Sequence, residues 1–198
     1  MKKRVFTLFI IIATCATHLS AQSLLDTFVR TLSGMGRLST EFVVNMTEQN
    51  ESMTFEGSYI AEGQNVYVKM QDIEIYAADG VKYEVNSQSK EIIVDSAATL
   101  GDDLFTSPKV FLSNLTSEYN TLDTELEGLK AVLLTHQDIT KTMQITILAN
   151  DDATLPETIV MEEGTTVLTV GFDFKPSNKP IPRFSRDKYP DFELIDMR

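Results

Sequence analysis

Between residues 40 and 95 the apolar side chains recur at every second position, and no other feature constrains the fold of this chain so tightly. In "TEFVVNM" Phe42, Val44 and Met46 fall on one face, with Glu41 and Asn45 opposite. "MTFEGSYIA" continues the pattern with Met53, Phe55 and Tyr59. After a turn at 62–65, Val66, Val68 and Met70 alternate with Tyr67 and Lys69, and Ile73 and Ile75 alternate with Glu74 and Tyr76. A period of two is the signature of a strand that buries one face. The Asp79–Gly80 pair is tight-hairpin chemistry, and "VKYEV" and "EIIVD" flank a further turn at 86–89. Five or six short strands at regular spacing predict an antiparallel meander.

The flanks of this region change period. Leu24, Leu25, Phe28, Val29 and Leu32 recur at three- and four-residue spacing, predicting a helix over 22–36 with Ser23 as its N-cap and Gly34 and Gly36 near its end. In the middle of the chain Ser107 as N-cap and Pro108 at the first helical position predict a short helix over 108–115, led in by Leu104 and Phe105 and carrying Phe111 and Leu112. Strands return at "LKAVLLTH" and at "TMQITILAN", where Met143, Ile145 and Ile147 alternate with polar residues. A hairpin turning at 162–164 follows, with Leu168, Val170, Phe172 and Phe174 on one face of the return strand. A Pro-punctuated basic loop over 175–188 precedes the closing "YPDFELIDMR". Helix, strands, helix, strands is an α+β arrangement: one large antiparallel sheet with helices on one face, in a single domain over 22–198.

Residues 1–21 read differently. Lys2, Lys3 and Arg4 precede an apolar run of twelve residues and a small-residue exit at Ser20 and Ala21. That order predicts a secretory signal peptide cleaved after Ala21, with Ala16 as the alternative site; the run is shorter than the ~20 apolar residues a membrane span needs. Thr14, where a smaller residue is expected before a lipidated cysteine, argues against lipid attachment at Cys15. Removing Lys2, Lys3 and Arg4 from the 17 basic residues leaves 14 against 29 acids, a net charge of −15, and takes away the only cysteine. Such a chain has no disulfide, is repelled by nucleic acid and anionic surfaces, and is expected to be periplasmic and monomeric.

Reactive chemistry is sparse. His136 is the one histidine left after cleavage, and a lone strand histidine without partners does not make a zinc site. The acidic pairs at 102–103, 151–152 and 162–163 sit at turns without calcium-loop spacing. Phosphate-binding glycine loops and nucleophile elbows are missing from the sequence, so the expectation is a protein that is not an enzyme and has no metal or cofactor. Five of the seven methionines that survive cleavage (Met46, Met53, Met70, Met143 and Met161) fall on the face assigned inward, where a flexible, polarizable side chain suits an adaptable apolar surface.

The order of elements, with "FEGSYIAEG", "IYAADGVKYEVN", "SPKVFLSNL" and "RFSRDKYPDFELIDMR", resembles the LolA-like family of periplasmic lipoprotein carriers, in the form found in Bacteroides-type bacteria. The resemblance implies an incomplete antiparallel barrel of about eleven strands, curled around an apolar cavity and lidded by helices. It implies carriage of acylated lipoproteins, or another lipid, from an inner-membrane donor complex towards an outer-membrane acceptor. On this chain the cavity lining would be Phe42, Val44, Met46, Phe55, Tyr59, Val66, Val68, Met70, Ile73, Ile75, Met143, Ile145, Leu168 and Val170, and the lid Leu104, Phe105, Phe111 and Leu112. Where proteobacterial carriers show an Arg–Pro pair that fastens the lid, this sequence has Gly63 and Gln64. A non-carrier envelope binding or sensor module on the same fold is the alternative reading.

Overall fold

A computed structural model describes residues 23–49 and 51–198, so the leader read over 1–21 lies outside the described residues. Helix α1 (Leu24–Gly34) precedes six strands: β1 (Arg37–Glu48), β2 (Glu51–Glu62), β3 (Asn65–Met70), β4 (Ile73–Ala78), β5 (Val81–Asn86) and β6 (Glu91–Ser96). A 3-10 turn (Ala97–Leu100) and helix α2 (Pro108–Glu118) lead to β7 (Tyr119–Leu126), β8 (Leu129–His136), β9 (Gln144–Ala149), β10 (Pro156–Glu163), β11 (Thr166–Phe172), the two-residue β12 (Lys175–Pro176) and β13 (Glu193–Asp196).

All thirteen strands form one sheet, ordered β13-β6-β5-β4-β3-β2-β1-β11-β10-β9-β8-β7, with β12 beside the start of β1. It consists of two meanders, β1 to β6 and β7 to β11, fused where Val44 lies opposite Val170. β7 and β13 are left as edges that do not meet, so the barrel is open. This topology forces the position of the second helix. The chain leaves the sheet beside one edge, at β6, and re-enters at the other, at β7, and its path between them is α2 packed over the concave face.

The meander read from the sequence is present, with strand ends within a few residues. At the β4–β5 turn Asp79 and Gly80 both have positive φ, 54° and 81°, the geometry of a type I′ hairpin. Gly57 is required for a different reason. The Phe42 ring lies across it, and a Cβ there would sit 2.2 Å from Phe42 Cζ and 2.8 Å from the Lys69 carbonyl oxygen. α1 buries Leu25, Phe28 and Leu32 against the sheet, and its first turn is capped by the Ser23 hydroxyl, which accepts the Asp26 N–H at 3.1 Å. α2 runs one turn beyond the predicted 115, and Ser107, expected to cap it, makes no side-chain hydrogen bond to the helix.

Two parts of the sheet escape the sequence pattern. β7 is absent from it because "YNTLDTEL" is exposed at six of its eight positions and has one neighbour only, β8. β13 is absent because its four residues are all exposed and it pairs parallel to β6 across about a hundred residues of chain. These, with the very short β12, account for thirteen strands where about eleven are expected.

Candidate functional site

Directly opposed residues in an antiparallel pair point to the same side of the sheet. Phe42, Val44 and Met46 therefore share a face with Phe172, Val170 and Leu168 on β11 and with Gly57, Phe55 and Met53 on β2. The same face continues through Tyr59, Val68 and Ile75 on one wing and through Ile159, Ile147 and Val132 on the other. This concave face is largely apolar from β4 across to β8, and turns polar towards the edges, where Lys82 and Glu84 of β5, Asp95 of β6 and Asp123 of β7 share it.

The structure brings most of the sequence-assigned residues together there. Phe42, Val44, Tyr59, Val66, Val68, Ile145 and Val170 are buried members of one core, and Phe55, Met70, Ile75, Met143 and Leu168 are half-buried against it. Leu104 and Leu112 belong to the same core from the helical side, with Phe105 and Phe111 packed on it. Met46 and Ile73 share the face but lie near the strand ends, half-exposed and outside the core; Met53, opposite Met46, is 46% exposed. Methionines thus collect at one open end of the hollow, where the Tyr119 hydroxyl donates to Met143 Sδ at 3.3 Å.

The middle of the hollow is filled. Leu25 and Phe28 of α1 and Leu112 and Leu115 of α2 are all at most 4% exposed, and Val44, Val68, Ile147 and Val170 beneath them at most 2%. The Phe105 ring lies 5.5 Å from that of Phe42. Polar ties between this roof and the sheet gather on one wing. The Leu24 N–H donates to Asp123 of β7 at 2.9 Å, and the Glu118 carbonyl accepts the Gln137 N–H just beyond β8 at 2.8 Å. The other ends, the C-terminus of α1 and the N-terminus of α2, border a cavity.

That cavity, of about 720 Å³, is the mouth of the half-barrel. Its wall includes Leu32 and Ser33 of α1, Leu38, Tyr59, Ala61 and Val66 of the sheet, Leu100 at the end of the 3-10 turn, Ser107 just before α2, and Lys109 and Val110 in its first turn. Of the sequence-assigned lining only Tyr59 and Val66 reach it. Ala61 was legible one step beyond Tyr59 on β2 and Leu38 two steps beyond Phe42 on β1, past Thr40; Leu100 and Lys109, off the sheet, follow no such pattern. Burial and the negative charge of Asp103 both push the Tyr59 phenol above its ordinary pKa, so it is a neutral donor. Gly63 also borders the mouth and has no side chain to reach the roof; within the roof, the Asn114 amide of α2 donates to Asp102, in the segment before that helix, at 2.8 Å.

A second groove, of about 760 Å³, opens on the convex face between Glu41, Glu56, Lys69, Glu157 and Asp173. Phe42, Val43 and Phe172 also line it, but four acids and one lysine make it far more charged than the mouth. Elsewhere the convex face of β4 to β6 is covered by the C-terminal segment. Phe184 stacks on Tyr83 at 4.0 Å, and the Tyr189 hydroxyl donates to Glu74 at 3.0 Å, beside Tyr76, which also donates to Glu74. His136 ends β8 with its side chain only 9% exposed; Nδ1 accepts the Asp138 N–H, and Nε2, 3.9 Å from a Glu118 carboxylate oxygen, has no hydrogen-bond partner. Among the described residues no group of His, Cys, Asp and Glu is arranged to hold a metal ion, and no helix is long and apolar enough to cross a membrane.

Fold and site together define the class: an open, curled antiparallel sheet with an apolar concave face roofed by two helices. No family model matches the chain, and no curated protein matches it in sequence. Among solved structures, an uncharacterized conserved protein from Thermus thermophilus has the same fold, with TM-score 0.51, 11% identity and coverage of 89% of this chain and 99% of that one. A LolA superfamily protein from Nitrosomonas europaea is similar at TM-score 0.45 and 13% identity, covering 85% of this chain and 98% of that one. LprF from Mycobacterium bovis is similar at TM-score 0.46 and 11% identity, covering 83% and 96%. At such identities the likeness is one of fold, and the ligand has to be argued from the geometry.

Proposed function

We propose that this chain is a periplasmic carrier that shields the acyl chains of lipoproteins, or of another lipid, between its sheet and its helical roof, and passes them from an inner-membrane donor towards an outer-membrane acceptor. The observation that carries this reading is the roof interface. Its buried side chains are apolar apart from Thr40 and Thr106, and its polar ties to the sheet sit on the β7–β8 wing. Apolar contacts are non-directional, so an acyl chain can take the place of Phe28, Leu32 or Leu112 against the same sheet residues. Each buried CH₂ contributes roughly 0.8 kcal/mol, so one long acyl chain supplies on the order of 10 kcal/mol towards displacing the roof.

In this reading the fourteen assigned sheet residues are the shelter, those at the methionine end adapting to the chain, and Leu104, Phe105, Phe111 and Leu112 move with the roof as its lid. The wing tied by Asp123 and Gln137 is the hinge. No covalent step is involved, and the sequence resemblance to lipoprotein carriers points the same way. Native mass spectrometry of protein taken from its own periplasm is expected to show co-bound acylated species. A single stoichiometric protein partner, with no lipid bound and none exchanged, would make the chain an envelope binding module instead.

A further inference from the structure

The mouth differs in charge from the rest of the molecule. The chain has 29 acidic residues, yet none of the residues lining the mouth is acidic, and Lys109 is its one charged side chain. The convex groove, of similar size, is lined by four acids. Lys109 enters none of the ion pairs among the described residues.

Three further donors face the same space. The first helical hydrogen bond of α2 runs from the Phe111 N–H to the Ser107 carbonyl at 2.9 Å, which leaves the N–H groups of Lys109 and Val110 without helical acceptors. Ser107 does not cap them, in contrast to Ser23 on α1. The third donor is the Tyr59 hydroxyl. Tyr59 is 7% exposed and lines the mouth, and its hydroxyl has no hydrogen-bond partner among the described residues. What little surface Tyr59 retains is in the wall of this cavity. A buried polar group without a partner is costly, and a ligand oxygen at this point would satisfy it. Asp103, whose charge reaches Tyr59, is already engaged: Oδ1 accepts the N–H groups of Phe105 at 2.8 Å and Thr106 at 2.9 Å, and Oδ2 accepts the Thr106 hydroxyl.

We propose that the mouth binds the anionic head of a single-chain acyl amphiphile, a carboxylate or phosphate held by Lys109, the free N–H groups of α2 and the Tyr59 hydroxyl. The acyl chain then runs inward over Leu32, Leu38, Ala61 and Val66. A helix N-terminus with an adjacent ammonium group favours an oxyanion both by its dipole and by its donors, and about 720 Å³ is within the ~300–1,000 Å³ of small-molecule sites. The inference rests on the acyl-sheltering function above and adds a choice of head group to it. It also gives an acidic protein one place where an anion is welcome.

The test uses the chain without its leader and three probes of equal chain length, laurate, lauryl phosphate and methyl laurate, followed by calorimetry at low ionic strength. Both anions are expected to bind about tenfold or more tightly than the ester, and the tighter of the two identifies the head. Lys109→Gln is expected to weaken the anions about tenfold and leave the ester unchanged; Tyr59→Phe, which removes only the hydroxyl, weakens the anions about threefold. Equal affinity for ester and acid, unaltered by Lys109→Gln, would overturn the head-group site while leaving the acyl shelter standing. Failure of all three probes to bind would overturn both.

Discussion

The sheet is covered on both faces, but by different chemistry. On the concave side α1 and α2 lie on Val44, Val68, Ile147 and Val170 through aliphatic and aromatic contacts. On the convex side the C-terminal segment is held by a stack of rings and by a polar centre, with Tyr76 and Tyr189 both donating to Glu74 and the two hydroxyls 2.8 Å apart. Directional bonds in a half-buried network fix one register, and each member is costly to leave unpaired. Apolar contacts fix far less. The convex cover is held by directional bonds, and the concave cover, on the function proposed above, is the one exchanged for a ligand.

The strongest test of that difference is Phe28→Ala. Phe28 is fully buried on the underside of the roof, and removing its ring is expected to lower stability by about 3–5 kcal/mol in a urea titration. If the covers are independent, hydrogen exchange in this variant accelerates in α1 and α2 while the amides around Tyr189 keep their protection. Equal loss on both faces would break the comparison. Gly57→Ala probes the same side through the sheet. The new Cβ meets Phe42 Cζ at 2.2 Å, and the overpacking is expected to cost about 1–3 kcal/mol, with Phe42→Leu in the same chain recovering part of it.

The convex cover is expected to fail through its polar centre. Glu74→Gln leaves two tyrosine hydroxyls with a poorer acceptor and is expected to cost about 1–3 kcal/mol, with faster exchange confined to the C-terminal segment. The same centre sets a pH dependence. Burial raises the Glu74 pKa, but hydrogen bonds from Tyr76 and Tyr189 and the charge of Lys69 outweigh it, and the net shift is downward. Its stabilisation is therefore present above the ordinary carboxylate range and is lost as pH falls through the lowered folded value. Tyr67, pushed up to about 12 by burial and the negative Glu74, works at the other limit. The unfolded chain ionises near pH ~10 while the fold holds the phenol neutral, so stability falls as pH rises between those values. Denaturant midpoints across pH should show both losses in the wild type and a weakened acid limb in Glu74→Gln.

The two covers were also unequally legible in the sequence. The concave face is a period-two pattern, and the alternation through Phe42, Val44, Val68 and Ile75 assigns it residue by residue. Period alone does not reveal that the face is filled, because Phe28 and Leu112 reach it from helices whose path is fixed by the strand order. Met46 and Ile73 obey the same alternation as Val44 and Ile75 and still lie outside the core, Met46 towards the β1–β2 turn and Ile73 at the first position of β4. The convex cover was not legible. Tyr76, Tyr83 and Val94 look like the solvent side of a half-buried sheet, and what buries Tyr76 is Phe184 and Tyr189, more than a hundred residues away in a segment that reads as loop. Turns, caps and faces are local information; a partner brought by the chain's return is not.

The smallest expected effect separates the two helices of the roof. Ser23 and Ser107 both read as N-caps, but only Ser23 accepts a hydrogen bond from its helix. Ser23→Ala is therefore expected to cost about 1 kcal/mol and Ser107→Ala close to nothing, measured as paired urea midpoints. An equal cost would mean that Ser107 caps α2 in solution. The amide donors of the first turn would then be occupied, and the mouth would lose the feature that makes it ready for an anion. An unequal cost leaves α1 capped on the wing tied to β7 and α2 open at the mouth, as the proposed anion site requires.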